Sequence, residues 1–180
     1  MPTSRSSPQY RPFDEKCNVA SSISVTCWVK TKTNGYHYLV SRGEWMEGYS
    51  LGILAKGDRR GTVRGCLGGI RAKWQNFVGT TTIKPGKLYH VGMTYSSSFG
   101  EGRIYVNGVC EQRMDLGRGN IIGYSGKTGL YIGGEALGLG NAYKGAKPRH
   151  FLNGEIKGLE ITGRYKEDAE VVQEFVSGPP

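Results

Sequence analysis

Few residues in this chain are placed to do covalent chemistry. The histidines, His37, His90 and His150, lie far apart, and none stands in a spacing that would hold a metal. Gly48-Tyr49-Ser50-Leu51-Gly52 matches G-x-S-x-G, the turn that presents a nucleophilic serine. That turn needs a strand before the serine and a helix after it. Here Leu51-Gly52-Ile53-Leu54 continues as a strand, so Ser50 is read as a strand residue. Gly123 to Thr128 ends like a phosphate loop, but Ile121 stands where the first glycine is required. The cysteines, Cys17, Cys27, Cys66 and Cys110, contain no C-x-x-C and allow three pairings. Cys27 sits in an apolar, strand-like run and reads as a buried reduced thiol. The scarce aspartates form no calcium loop. The sequence points to no catalytic, cofactor or metal residue.

What it offers instead is charge. Lysine and arginine total 24 against 15 acids, a net charge of +9. Such a surplus favours an acidic protein surface, a sulfated glycan, nucleic acid or anionic lipid. The cations gather in two runs: Lys56, Arg59, Arg60 and Arg64, then Lys144, Lys147 and Arg149. Arg59, Arg60 and Arg64 stand at one end of a strand candidate and read as part of an anion-binding edge. Trp45, in a loop beside Met46, is the candidate aromatic contact, because a ring face suits a sugar or a protein interface. Trp74 reads as a second loop aromatic that packs inward. No nucleic-acid signature accompanies the charge. No apolar run approaches the ~18–20 residues of a membrane helix.

The elements that must position these groups read as strands. From Ser22 the pattern has period two: Ile23, Val25, Cys27 and Val29 alternate with Ser22, Ser24, Thr26 and Trp28. Further strands are expected at Tyr38–Ser41, Tyr49–Leu54, Arg64–Ile70, Leu88–Tyr95, Arg103–Val106, Val109–Arg113, Gly129–Ile132 and Glu155–Thr162. Asn107-Gly108 between two of them predicts a two-residue hairpin turn. With 29 glycines and repeated short strands, the pattern is that of a β-sandwich or jelly roll. Val171, Val172 and Phe175 fall at helical spacing and predict one short helix over Glu167–Phe175. Residues 1–16 read as a polar N-terminal arm, 17–176 as one domain and 177–180 as a tail. The N-terminus lacks the apolar region of a secretory signal, so an intracellular, cytoplasmic or cytoskeletal location is expected. Secretion is expected only if Met1 is not the native start.

The order of segments resembles the laminin G-like domains of the concanavalin A-like lectin/glucanase superfamily. The resemblance rests on SISVTCWVK (22–30), YLVSRG (38–43), GYSLGI (48–53), KPGKLYHVGMTY (84–95), GRIYVNG (102–108), GLYIGG (129–134) and FLNGEIKGLEI (151–161). It covers roughly residues 20–176. It implies an all-β, antiparallel two-sheet jelly-roll sandwich closed by a short C-terminal helix. It also implies glycan binding, protein binding or, in one branch, glycoside hydrolysis. The hydrolase branch carries E-x-D-x-E, which is absent here. Its general acid and nucleophile stand ~5–5.5 Å apart, whereas Glu155 and Glu160 would face opposite sides of a regular strand. Many relatives place acids for calcium after the central "TY" and the last "G-x-I". Here those places hold Ser96-Ser97-Ser98 and Lys157-Gly158, so no metal residue carries over. The leading expectation is a non-catalytic module that docks on an acidic protein assembly, such as a microtubule or another cytoskeletal structure. The alternative is a lectin-like domain binding carbohydrate or sulfated glycan, and the remote one is a glycoside hydrolase.

Overall fold

A computed structural model describes residues 9–11, 18–43, 47–54, 59–70, 73–124, 129–134 and 150–180. The strands are β1 (Gln9–Arg11), β2 (Ser22–Thr31), β3 (His37–Arg42), β4 (Tyr49–Ile53), β5 (Thr62–Ile70), β6 (Lys73–Thr82), β7 (Leu88–Ser96), β8 (Glu101–Val106), β9 (Val109–Asp115), β10 (Leu130–Ile132) and β11 (Gly154–Thr162). One helix, α1 (Asp168–Ser177), follows them. Sheet A has the order β1-β10-β3-β4-β5-β6, and sheet B has the order β11-β2-β7-β8-β9. Every pairing is antiparallel. This is the expected jelly-roll sandwich.

Alternation sets the core. Ile23, Val25, Cys27 and Val29 lie opposite Tyr95, Met93, Val91 and Tyr89 of β7. They meet Tyr49, Leu51 and Ile53 of β4 and Val63 and Leu67 of β5 in one buried cluster. Burying such side chains stabilises the fold by about 1.5–3 kcal/mol each. Cys27 is a free, buried thiol, and burial pushes its pKa up to about 12. Asn107 and Gly108 join β8 to β9 with φ of 50° and 77°, the left-handed pair that a two-residue hairpin demands.

The structure departs from the sequence reading at three places. Gln9–Arg11, within the segment read as an arm, is the edge strand of sheet A and pairs with β10. Lys73–Thr82 is a strand, so Trp74 is a half-buried strand residue and not a loop aromatic. Its KWQNFVGTTT pattern hides the alternation, because Gln75 and Gly79 flank Phe77 at period two and leave Phe77 as the strand's one buried apolar side chain. Glu155 and Glu160 face the same side, because the register slips between Lys157 and Glu160, where Gly158 has a φ of 55°. Their partners are Lys30 and Thr26, so they stand four residues apart along β2, or ~13 Å. That exceeds either glycosidase spacing.

Side chains from β9 seal the exposed edge of β6. Glu111 accepts the backbone N–H groups of Thr80 (2.7 Å) and Thr81 (3.0 Å). Gln112 accepts that of Val78. Arg59 donates to the Val78 carbonyl at 3.0 Å. Gly79 leaves room for this contact, since a Cβ there would lie 2.5 Å from the Glu111 carboxylate and push it aside.

Candidate functional site

The outer face of sheet B is closed by α1. The helix starts with the Glu167 N–H held by the Glu170 carboxylate at 2.9 Å and ends at Gly178, with a φ of 77°. Val171 is fully buried, and Phe175 stacks on Trp28 with ring centroids 5.8 Å apart. Beneath the first turn, Asp168 accepts from Arg103 and from the Tyr105 hydroxyl, each at 2.7 Å, and from Arg113. Burial alone would raise the Asp168 carboxyl, but Tyr105 and Arg103 outweigh it and hold it below the usual carboxylate range. Lys166, 1% exposed, is pinned by Glu160 at 2.8 Å and by Glu174. His90 lies 3.7 Å from Glu174. Burial lowers its pKa, which Glu174 partly offsets and Lys166 reinforces. This region is an ionic clasp for the helix.

The outer face of sheet A holds Arg64. Its guanidinium donates to Asn76 (2.8 Å), to the Tyr36 hydroxyl and to the Cys66 sulfur (2.8 Å). Tyr36 packs edge-on against Tyr38 and His150. Arg64 lies opposite Gly52, which has no side chain to stop it crossing to Tyr36.

At one end of the sandwich lies a cleft of about 320 Å³. It is lined by Thr31 at the end of β2, Thr33 and Asn34 in the next loop, Arg60 in the β4–β5 turn and Thr82 at the end of β6, with His37 in the wall. Backbone bonds fix the walls. Gly86 donates to the Thr31 carbonyl at 2.8 Å, Gly61 to Leu54 at 2.8 Å and Ile83 to Gly61 at 2.8 Å. Among the described residues lining it there is no carboxylate. Arg59, Arg60, Lys30, Lys32, Lys84 and Lys87 are exposed at this end, with the exposed Glu155 opposite Lys30. His37 is only 4% exposed. Its Nε2 lies 3.0 Å from the Thr33 carbonyl and its Nδ1 lies 3.2 Å from the Phe151 carbonyl.

Of the residues named from sequence, Arg60 lines this cleft, while its neighbour Arg59 is held on the β6 edge by the Val78 carbonyl. Arg64 is drawn onto the outer face of sheet A. Lys56, Lys144, Lys147, Arg149 and Trp45 lie outside the described residues. The polar lining, Thr31, Thr33, Asn34, His37 and Thr82, was not legible in advance. These positions come from three strand ends far apart in sequence, and the Thr33-Asn34-Gly35 turn signal beside His37 is the only local hint. Ser50 is a buried residue of β4 with a strand on each side, as the sequence predicts. Among the described residues no three His, Cys, Asp or Glu side chains group to hold a metal.

No curated protein matches the chain. Among solved structures it resembles a Bacteroides ovatus protein provisionally assigned to carbohydrate binding, with a TM-score of 0.64 and 20% identity, over 85% of this chain and 40% of that one. The chain thus spans about two fifths of that protein. It also resembles a heptameric SAP-like pentraxin of Limulus polyphemus, with a TM-score of 0.58 and 21% identity, over 91% and 71% of the two chains. A third similar structure is the binding domain of botulinum neurotoxin DC in complex with SialylT, with a TM-score of 0.63 and 13% identity, over 94% and 39%. At these identities the likeness shows the fold. The sequence model of one family matches residues 7–172, and by that match the chain belongs to the concanavalin A-like lectin/glucanase superfamily.

Proposed function

We propose that this chain is a non-catalytic binding module that takes an anionic glycan in the cleft at the basic end of the sandwich. The cleft carries the reading. Its volume falls within the range of small-ligand sites, ~300–1,000 Å³. Threonine hydroxyls and the Asn34 amide in its lining suit sugar hydroxyls. Arg60 supplies a planar fork for a sulfate or carboxylate. The surrounding cations raise the local concentration of an anionic chain. A carbohydrate-binding assignment for one structural neighbour and a SialylT complex for another lend it support. An acidic protein assembly, cytoskeletal or other, would use the same charge. Stable protein interfaces bury ~1,200–2,000 Å² of surface, and a small polar cleft fits a sugar better.

The test is calorimetry with a heparin-derived tetrasaccharide and a neutral tetrasaccharide at ~0.15 M salt. Binding of the sulfated chain alone, weakened by Arg60→Glu, is expected. Failure of both sugars, with saturable binding to an acidic polypeptide such as polyglutamate, would replace the glycan with a protein partner.

A further inference from the structure

The cations at this end of the sandwich stand in a row, and the backbone sets its order. Arg60 lines the cleft, and the carbonyl of its neighbour Gly61 accepts the Ile83 N–H at 2.8 Å. That bond brings Arg60 beside Lys84, the residue after Ile83. Lys84-Pro85-Gly86-Lys87 then forms a tight turn. Pro85 suits its second position, and Gly86, with a φ of 80°, takes the left-handed third. The Lys87 N–H closes the turn on the Lys84 carbonyl at 3.3 Å, and the Tyr89 hydroxyl braces it by accepting the Lys84 N–H at 3.3 Å. Such a turn keeps its first and last Cα atoms within ~7 Å. The Gly86 N–H bonds the Thr31 carbonyl at 2.8 Å, which places the turn beside Lys30 and Lys32. Each step from Arg60 to Lys84, to Lys87 and on to Lys30 and Lys32 therefore crosses a single backbone bond.

All five side chains are exposed, and none takes part in the ion pairs of the described residues. Arg60 is the one lysine or arginine among the described residues that line the cleft. A small anion held there leaves the four lysines unused. A compact anion reaches one or two of them, whereas a linear chain charged along its length reaches them all. The row also has an end. Exposed Glu155 lies opposite Lys30 in the β11–β2 ladder, and an anionic chain that runs past Lys30 meets a like charge.

The geometry points to a second subsite, a rim track of Lys84, Lys87, Lys32 and Lys30 that carries a linear polyanionic glycan out of the cleft and ends at Glu155. This rests on the glycan reading above and deepens it, because the ligand becomes a chain longer than the cleft holds. Arg60 grips one sulfate or carboxylate inside. The lysines take the charges that follow. A lysine is a point charge on a flexible stem, so the track accepts anionic groups at varied positions on successive sugars, where the planar fork of Arg60 asks for one geometry.

The experiment titrates the full chain with heparin-derived di-, tetra- and hexasaccharides by calorimetry at ~0.15 M salt. From the disaccharide to the hexasaccharide, affinity is expected to rise about tenfold or more. A longer chain also gains by offering more ways to sit in the cleft, so a double variant, Lys84→Ser with Lys87→Ser, separates the two gains. It should keep disaccharide affinity within about twofold and lose most of the rise with length. Glu155→Gln should strengthen hexasaccharide binding about two- to threefold and leave the disaccharide unchanged. Affinity that is flat with length, a rise that survives in the double variant, or equal losses at every length would overturn the track and leave the cleft reading standing. No binding at any length would overturn both. The length series of the unsubstituted protein, with Glu155→Gln, keeps the test decisive should the double variant fold poorly.

Discussion

The outer face of sheet B and the cleft end of the sandwich treat charge in opposite ways. Over sheet B, Arg103, Arg113, Arg164 and Lys166 each meet a carboxylate, and the described ion pairs all gather around α1. At the cleft, Arg60 lies in a lining without a described carboxylate, among exposed lysines. Satisfied charge holds an element in place. Cations that outnumber the acids beside them leave a field that a ligand can neutralise. The net charge of +9 is therefore a poor guide by itself, since part of the basic content is spent on the clasp.

The comparison can be broken most strongly on the satisfied side. Asp168→Ala would leave the Tyr105 hydroxyl without its acceptor and take from the 12% exposed Arg103 side chain one of its carboxylates, with Glu101 remaining. A loss of about 2–3 kcal/mol is expected in urea unfolding, discounted because Asp168 is itself partly exposed. A cost under about 0.5 kcal/mol, the level of an ordinary surface change, would mean the clasp is ornamental. On the open side, Arg60→Glu should weaken tetrasaccharide binding about tenfold with little change in stability. Arg118→Glu makes the same charge change on the exposed turn at the opposite end, where Gly119 bonds Ser97. It should cost less than about twofold at physiological salt. Equal effects would show that net charge matters and position does not.

A smaller effect lies in pH. Burial holds the His90 pKa below its ordinary value, so the unfolded chain takes up the proton first. Stability is then fully present above the unfolded value of about 6.5 and falls as pH drops below it. His90→Phe, between Trp28 and Phe175, should flatten that step in thermal unfolding while leaving the profile above neutrality unchanged. Asp168, also depressed, loses its contribution only in the more acidic carboxylate range. The smallest expected effect is at the sheet edge. Glu111→Ala frees two backbone N–H groups of β6 and should give slow, concentration-dependent association by light scattering.

The strands that carry the core were legible because their partners repeat the same alternation. Ile23, Val25, Cys27 and Val29 could be read from their spacing alone, and Asn107-Gly108 gave the hairpin. β6 was hidden because Gln75 and Gly79 flank its one buried apolar side chain, Phe77, at period two. The bulge at Gly158 was hidden because a register slip leaves no periodic trace. Arg59 and Arg60 were visible as charge. The cleft that Arg60 lines was not, because Thr31, Arg60 and Thr82 meet only after two sheets have stacked. The roles of Arg103 and Asp168 were equally silent, since 65 positions separate two residues whose meaning is mutual.

The Glu111 seal has a consequence for life in a crowd. Long anionic polymers bring many copies of a binder shoulder to shoulder, the condition under which unguarded sheets zip together. Here the row of β6 amides is already occupied by a carboxylate and an amide from the same molecule. Neighbours threaded on one polymer could touch along this flank and still come apart when the polymer is removed.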